Sequence, residues 1–319
     1  VFRSYFSRYV PARTTVAVAA LPLGALVQME ALVSNGEGTI PDAPQAGDLV
    51  KLARNTDRAP RDPLSTQTVA FSHYNNLSAQ LPIDPASGEI VPGGAAEQAR
   101  QCLENVKAIL EEIGHVMDDV VKITLFATSV SALESAEEVY MKFFPDYLPA
   151  LTKVPVAGLP MNALVQVEAV VSHGDGTPPQ PREDARNIVI EASSTERAPQ
   201  GPYSQIVAFS HYNHVAAQSP VDPQSGAIVP GGVKEQAAQC LKNIQAIVES
   251  ADHTLEDVVK VNIYLKNIAD MAAVDRVYTK FFPLGVPARR LVGVAALPGD
   301  ALVQIDAVVA NAEGTPPKA

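Results

Sequence analysis

The chain repeats itself, and that constrains its fold more than any other feature, because a unit recurring at a fixed period must fold once and then again. Residues 144–170, FPDYLPALTKVPVAGLPMNALVQVEAV, return at 282–308 as FPLGVPARRLVGVAALPGDALVQIDAV. The same stretch occurs at the same spacing upstream, over 6–33, as FSRYVPARTTVAVAALPLGALVQMEALV. Between these, VAFSHYN stands at 69–75 and again at 207–213, and Cys102-Leu103 matches Cys240-Leu241. Two copies are therefore complete, over 50–172 and 187–310, and residues 1–36 are the back half of a third. The joints at 37–49 and 173–186 and the tail at 311–319 are rich in Gly, Pro and charge, the composition of tethers. Because the chain opens on Val1 in mid-copy, about one hundred further residues are expected ahead of it, with any targeting segment among them. The alternative is that 1–36 docks on a half-copy supplied by another chain.

Composition narrows the class. At 47% hydrophobic and 18% charged residues, the 319-residue chain has material for packed cores and lacks the signature of disorder. Its net charge of −11 opposes binding to nucleic-acid phosphates or anionic membranes, which depends on Lys and Arg neutralising charge. No apolar run approaches the ~18–20 residues that span a bilayer. Two cysteines cannot form a disulfide framework, so a reducing, cytosol-like compartment is the default.

Alternation and β-branched content predict strands in the last copy near 188–191, 206–209, 212–218, 258–265, 289–295 and 301–309. Ala237, Cys240, Leu241, Ile244, Ile247 and Val248 recur at helical spacing and predict one buried stripe, and 269–282 predicts a second helix. The order β-β-β-α-β-α-β-β implies an α+β fold, a mixed sheet with helices on one face. On the last strand Leu302, Gln304 and Asp306 share one face and Val303, Ile305 and Ala307 the other. The polar face either lines a cleft or meets water.

Taken together the motifs resemble the RidA/YjgF (L-PSP) family. They are GPYSQ at 201–205, PVDPQSG at 220–226, the helix at 235–251, EDVVKV at 256–261, VPAR at 286–289 and VAALP at 294–298. The resemblance covers both complete copies and the 1–36 fragment. It implies a chorismate-mutase-like α+β fold assembled as a trimer, here a pseudo-trimer of copies, with ligand clefts between neighbours. It also implies cofactor-free hydrolysis of reactive 2-imino or enamine acids, such as 2-aminoacrylate, to 2-oxo acids and ammonia. A planar guanidinium suits such a substrate, since it grips a carboxylate bidentately and stays charged. Arg289 falls on the family's carboxylate-binding arginine, Arg13 matches it in the fragment, and Tyr203 falls on the family's cleft tyrosine. Ala216-Ala217-Gln218 falls on the S-G-Q turn, whose backbone donor helps hold the carboxylate, and the middle copy keeps Ser78 there.

The departures matter as much as the matches. The middle copy has Leu151 for the arginine and Leu64 for the tyrosine, and a leucine cannot hold a carboxylate. The glutamate that the family places fifteen residues after the arginine is Gln28, Gln166 and Gln304 in the three copies. A glutamine orients water but cannot accept its proton as a general base. Glu30, Glu168 and Asp306 follow two residues later, as substitutes or as partners of a basic group.

Other candidates read as structural. His73 and His211 recur in FSHYN with no second ligand at metal spacing, so they read as hairpin-turn residues rather than a zinc site. Gly93-Gly94 and Gly231-Gly232 lack the Lys and Ser/Thr of a P-loop and read as helix-entry glycines. Cys102 and Cys240 lie on the apolar stripe and read as core. Two functions stand: imine deamination through Arg289, Tyr203 and Gln304, with Arg13 serving a second cleft, or a non-catalytic module that holds small carboxylates or acts like a chaperone. A ribonuclease reading fits the acidic charge poorly.

Overall fold

A computed structural model describes residues 1–6, 10–33, 52–71, 73–172 and 190–311. The joints, and the tail beyond Asn311, lie outside these residues, as do the first residues of the strand expected at 188–191. The middle copy consists of β1 (Leu52–Arg54), β2 (Thr68–Phe71), β3 (Tyr74–Leu77), α1 (Ala95–Glu112), β4 (Val120–Ala127), α2 (Val130–Phe143), β5 (Ala150–Pro155) and β6 (Val165–Ser172). The last copy repeats the order as β7 (Glu191–Ser193), β8 (Ile206–Phe209), β9 (Tyr212–Gln218), α3 (Val233–Ser250), β10 (Val258–Leu265), α4 (Met271–Phe281), β11 (Ala288–Gly293) and β12 (Val303–Ala310). Helix α4 is shorter than the expected 269–282 because Ile268–Asp270 forms a separate 3₁₀ turn.

Each copy folds one six-stranded mixed sheet, in the orders β1-β2-β3-β6-β4-β5 and β11-β10-β12-β9-β8-β7. Hairpins give the antiparallel pairs within β1–β3 and β7–β9, the last strands β6 and β12 insert antiparallel to both of their neighbours, and the crossover through a helix gives the parallel pairs β4–β5 and β10–β11. The helices cover one face of each sheet. The predicted stripe of α3, from Ala237 to Val248, is buried against Val303, Ile305, Ala307 and Val309 of β12. Cys102 and Cys240 sit in the two cores, and burial pushes both thiols well above their usual range. The paired glycines open the long helices: Gly94 and Gly232 donate their N–H groups to Glu97 and Glu235 (2.9 and 2.8 Å), while Gly93 and Gly231 take φ of 112° and 107°, a region that favours glycine.

The second sheet face is not solvated. All eight residues of β4 are buried, and Gln304 and Asp306 on β12 are as buried as their apolar neighbours. What covers this face is another copy. The fragment lies against both complete copies, with bridges Ala17↔Gly158 and Ala20↔Gly293. One apolar cluster draws equivalent residues from all three: Val16, Val154 and Val292; Val18, Val156 and Val294; Leu21, Leu159 and Leu297. The contacts run in a ring. Thr14 of the fragment donates to Glu168 of the middle copy, Thr152 of the middle copy donates to Asp306 of the last (2.9 Å), and Arg290 of the last pairs with Glu30 of the fragment (3.7 Å). Beyond this ring the fragment is bare among the described residues. Val27 and Met29 are 68% and 74% exposed, whereas their counterparts Val165, Val167, Val303 and Ile305 are fully buried.

Candidate functional site

Sheet order decides which predicted residues can meet. Arg289 lies on the edge strand β11, and Tyr203 leads into β8 near the opposite edge, four strand spacings or about 19 Å away. Arg289 and Tyr203 of one copy therefore do not converge, and the expected set of Arg289, Tyr203 and Gln304 is not a single cleft. Each junction instead sets the edge strand of one copy against the β2–β3 region of the next.

At the first junction the fragment's Val10–Thr14 segment meets the middle copy. Thr66 donates its N–H to Pro11 (3.3 Å) and its hydroxyl to Val10 (2.5 Å). Arg13 donates its N–H to Ser78 Oγ (2.8 Å), Ser78 donates to the Thr66 carbonyl (2.7 Å), and the Ala79 N–H binds the Arg13 carbonyl (3.2 Å). Ser78 and the backbone donor after it thus clasp the strand that carries the arginine, where the resemblance had given them to a substrate. The Arg13 guanidinium holds Asp62 at 2.9 Å, half-exposed at the rim and beside Leu64. Val167 exchanges both backbone bonds with Gln80 (2.7 and 3.0 Å), which sets Gln166 alongside the Ser78–Gln80 segment. Gln166 is buried, and its Oε1 accepts no hydrogen bond within the described protein.

The second junction repeats the first with its chemistry changed. Ser204 donates to the Leu148 carbonyl (2.5 Å), as Thr66 does to Val10, and Ala150 bridges to Ser204. Leu151 turns into the middle copy's core at 2% exposure, and Ala216 has no hydroxyl to clasp its backbone. Ala216, Ala217 and Gln218 form the end of strand β9 rather than a turn, and all three are buried. A cavity of about 430 Å³ lies here, lined by Phe144, Asp146, Tyr147, Leu148, Tyr203 and Ser204 among others. Tyr203 is largely buried in it, and desolvation, helped by the nearby Glu137 charge, pushes its hydroxyl up to about 12. Gly201 is needed beneath the ring, since a Cβ there would lie 2.2 Å from Cε1 of Tyr203.

Arg289 opens the third position. Its guanidinium bonds Asp275 at 2.5 Å and sits 5.3 Å above the Tyr278 ring, leaving the side chain 28% exposed. Gln28, which the repeat would set across from it, is exposed. The described residues thus pair an arginine with a leucine at the first junction and a tyrosine with a leucine at the second.

Between the junctions lies a buried polar cluster that the sequence reading saw only in part. Asp306 accepts from Asn262 (2.5 Å), Thr152 (2.9 Å) and Tyr264 (3.5 Å), and Lys122 of the middle copy stands 3.5 Å away. Burial alone would raise its carboxyl, but Lys122, Arg290 and the hydrogen bonds from Asn262 and Thr152 hold it below the usual range. Lys260, the counterpart of Lys122, pairs with Glu30 at 2.7 Å. So of the acidic residues two places after the glutamines, Glu30 and Asp306 are partners of basic groups and Glu168 accepts from Thr14. His214, also buried between copies, is pushed down to about 3 by desolvation and by Lys122. Aligning the copies on their repeat would have paired Thr14, Thr152 and Arg290 with the three acids; nothing in the sequence pointed to Asp62 or His214.

A family model described as endoribonuclease L-PSP matches twice, over residues 56–173 and 194–311. A RutC family protein of Pyrococcus horikoshii is 44% identical over 120 residues, which is 37% of this chain and 95% of that protein. The mouse 2-iminobutanoate/2-iminopropanoate deaminase is 39% identical over 124 residues, 38% of this chain and 92% of the mouse protein. The crystal structure of RidA from an Antarctic Psychrobacter is 35% identical, with a TM-score of 0.37 over 38% of this chain and 99% of that one.

Proposed function

The chain belongs to the endoribonuclease L-PSP family, and we propose that it hydrolyses small 2-imino acids to 2-oxo acids and ammonia, at the junction between the fragment and the middle copy of a pseudo-trimer. One observation carries the reading: the sequence's carboxylate-gripping arginine, Arg13, reaches the rim of a junction between copies, where Ser78 clasps its backbone and its guanidinium already holds a half-exposed carboxylate. The similarity to deaminases at about 40% identity supports the reaction class.

The chemistry needs little. Arg13 binds the substrate carboxylate through two parallel N–H···O bonds, displacing Asp62. Water adds to the electrophilic C2 of the C=N group, its oxygen bonding to carbon as the π pair moves to nitrogen. The proton that water loses passes to that nitrogen, and collapse of the carbinolamine expels ammonia and leaves the 2-oxo acid. Gln166, with its buried unpartnered Oε1, accepts a hydrogen bond from the attacking water and orients it. It cannot take the proton, so the site forgoes a general-base contribution of about 10²–10⁴-fold and relies on orientation. Arg289 and Tyr203 would serve the other two positions, the former beside Gln28 and the latter with Ala217 and Gln304.

A second reading, carboxylate binding without turnover, is favoured by the glutamine in all three copies and by the separation of arginine from tyrosine. Generating 2-aminoacrylate in situ and following its loss separates the two. Deamination requires turnover in the natural chain, loss of about 10–100-fold in Arg13→Ala for one charge-assisted contact, and a gain in Gln166→Glu. Saturable binding of 2-oxobutanoate with no turnover in any variant supports the second reading.

A further inference from the structure

The two FSHYN hairpins, far apart in sequence, meet tip to tip. Strands β2 and β3 pair Phe71 with Tyr74, β8 and β9 pair Phe209 with Tyr212, and each turn between them carries a histidine in its second position. The imidazoles of His73 and His211 come together with ring centroids 5.3 Å apart and planes at 61°. The sequence offered neither histidine a neighbour because that neighbour belongs to the other copy.

We propose that His73 and His211 form a two-histidine site for a divalent transition metal ion, zinc or nickel, that bridges the middle and last copies. The spacing fits such an ion. With N–metal bonds of about 2.0–2.1 Å and about 1.1 Å from ring nitrogen to centroid, two imidazoles on a tetrahedral ion have centroids about 5.2 Å apart. Imidazole is a ligand these borderline ions favour. The site is also held in place before any ion arrives. Tyr74, buried behind the tips, donates its hydroxyl across the junction to the Phe209 carbonyl, and its ring packs against Phe209 at 5.6 Å and Tyr212 at 5.8 Å. The two hairpin tips are therefore held together by the packing beneath them. His211 is exposed and His73 half-buried, so the pair is open to solvent. Among the described residues no third His, Cys, Asp or Glu groups with them, so the site is proposed on the two imidazoles alone. The copies differ at the positions of the proposed chemistry, Arg or Leu and Tyr or Leu, yet both keep Ser-His-Tyr-Asn at the hairpin tip.

The role this gives the metal is a clip between copies, independent of the proposed carboxylate site. Titrating chelator-treated full-length protein with zinc chloride, and separately with nickel chloride, in a calorimeter tests it. One ion per chain is expected, with affinity at least tenfold weaker in His73→Ala and in His211→Ala and unchanged in His253→Ala, whose imidazole lies beside Asp257 on another surface. Zinc should also raise the thermal midpoint of the natural protein and of neither hairpin variant. The metal-free midpoints of all four proteins show whether the substitutions spare the fold. Absence of saturable binding, or binding that survives in both single hairpin variants, overturns the site and reduces the pair to an edge-to-face ring contact.

Discussion

Asp306→Ala probes the packing between copies where it is least forgiving. The carboxylate is 1% exposed and anchors Asn262, Tyr264 and, across the junction, Thr152 and Lys122. Removing it leaves the Lys122 ammonium buried without its ion partner and strips the acceptor from three donors. Breaking one side of a buried pair costs about 3–5 kcal/mol, mostly through the uncompensated charge left behind. The expected loss is about 4 kcal/mol, a large part of the ~5–15 kcal/mol typical of a domain. Urea unfolding followed by tyrosine fluorescence measures it, since the chain has nine tyrosines and no tryptophan to mask them. The double variant Asp306→Leu with Lys122→Met, which buries apolar atoms in place of both charges, should recover most of the loss. A loss below about 1 kcal/mol in the single variant, or a double variant no better than the single, would refute the reasoning.

Three further outcomes follow from the same contacts. His214 is kept neutral in the folded protein, so its contribution to stability should weaken as pH falls from about 6.5 toward 3, by about 1.4 kcal/mol per pH unit; His214→Asn, which installs the residue of Asn76 in the middle copy, should flatten acid unfolding curves in that window. Asp306, whose carboxyl is lowered, loses its contribution only below its unfolded value near 3.8, so above that pH the His214 effect is seen alone. Asp62→Asn weakens the hold on the Arg13 guanidinium while its Oδ1 can still accept from Leu64, so calorimetry should find 2-oxobutanoate bound up to about fivefold more tightly at little cost in stability. Gly201→Ala forces the Tyr203 ring off its seat and should lower stability by about 1–3 kcal/mol in thermal melts, whereas an unchanged midpoint would mean the ring has room to yield.

The periods in the sequence were enough for most of the fold. The stripe from Ala237 to Val248 and the strands 206–209, 212–218 and 258–265 were legible because each has a local signal, helical spacing or alternation between turn residues. The polar face of the last strand was not. Gln304 and Asp306 alternate as a wetted strand would, and only the docking of a second copy makes that face interior. The candidate site divided along the same line. Arg13 and Ser78 could be named from motif position, but an arginine at one sheet edge and a tyrosine at the other look adjacent in a motif and lie about 19 Å apart in a sheet. The two histidines read as separate turn residues for the converse reason, standing a full repeat apart in the chain and touching in space.

The proposed function stands on a small carboxylate held by Arg13 where the fragment meets the middle copy. A crystal of the full-length chain soaked in 2-oxobutanoate tests it without passing through turnover. The ligand carboxylate is expected on the Arg13 guanidinium, with Asp62 swung away and the ligand's C2 facing Gln166. Arg13 still closed on Asp62, with the ligand seated against Tyr203 or Arg289 instead, would contradict it.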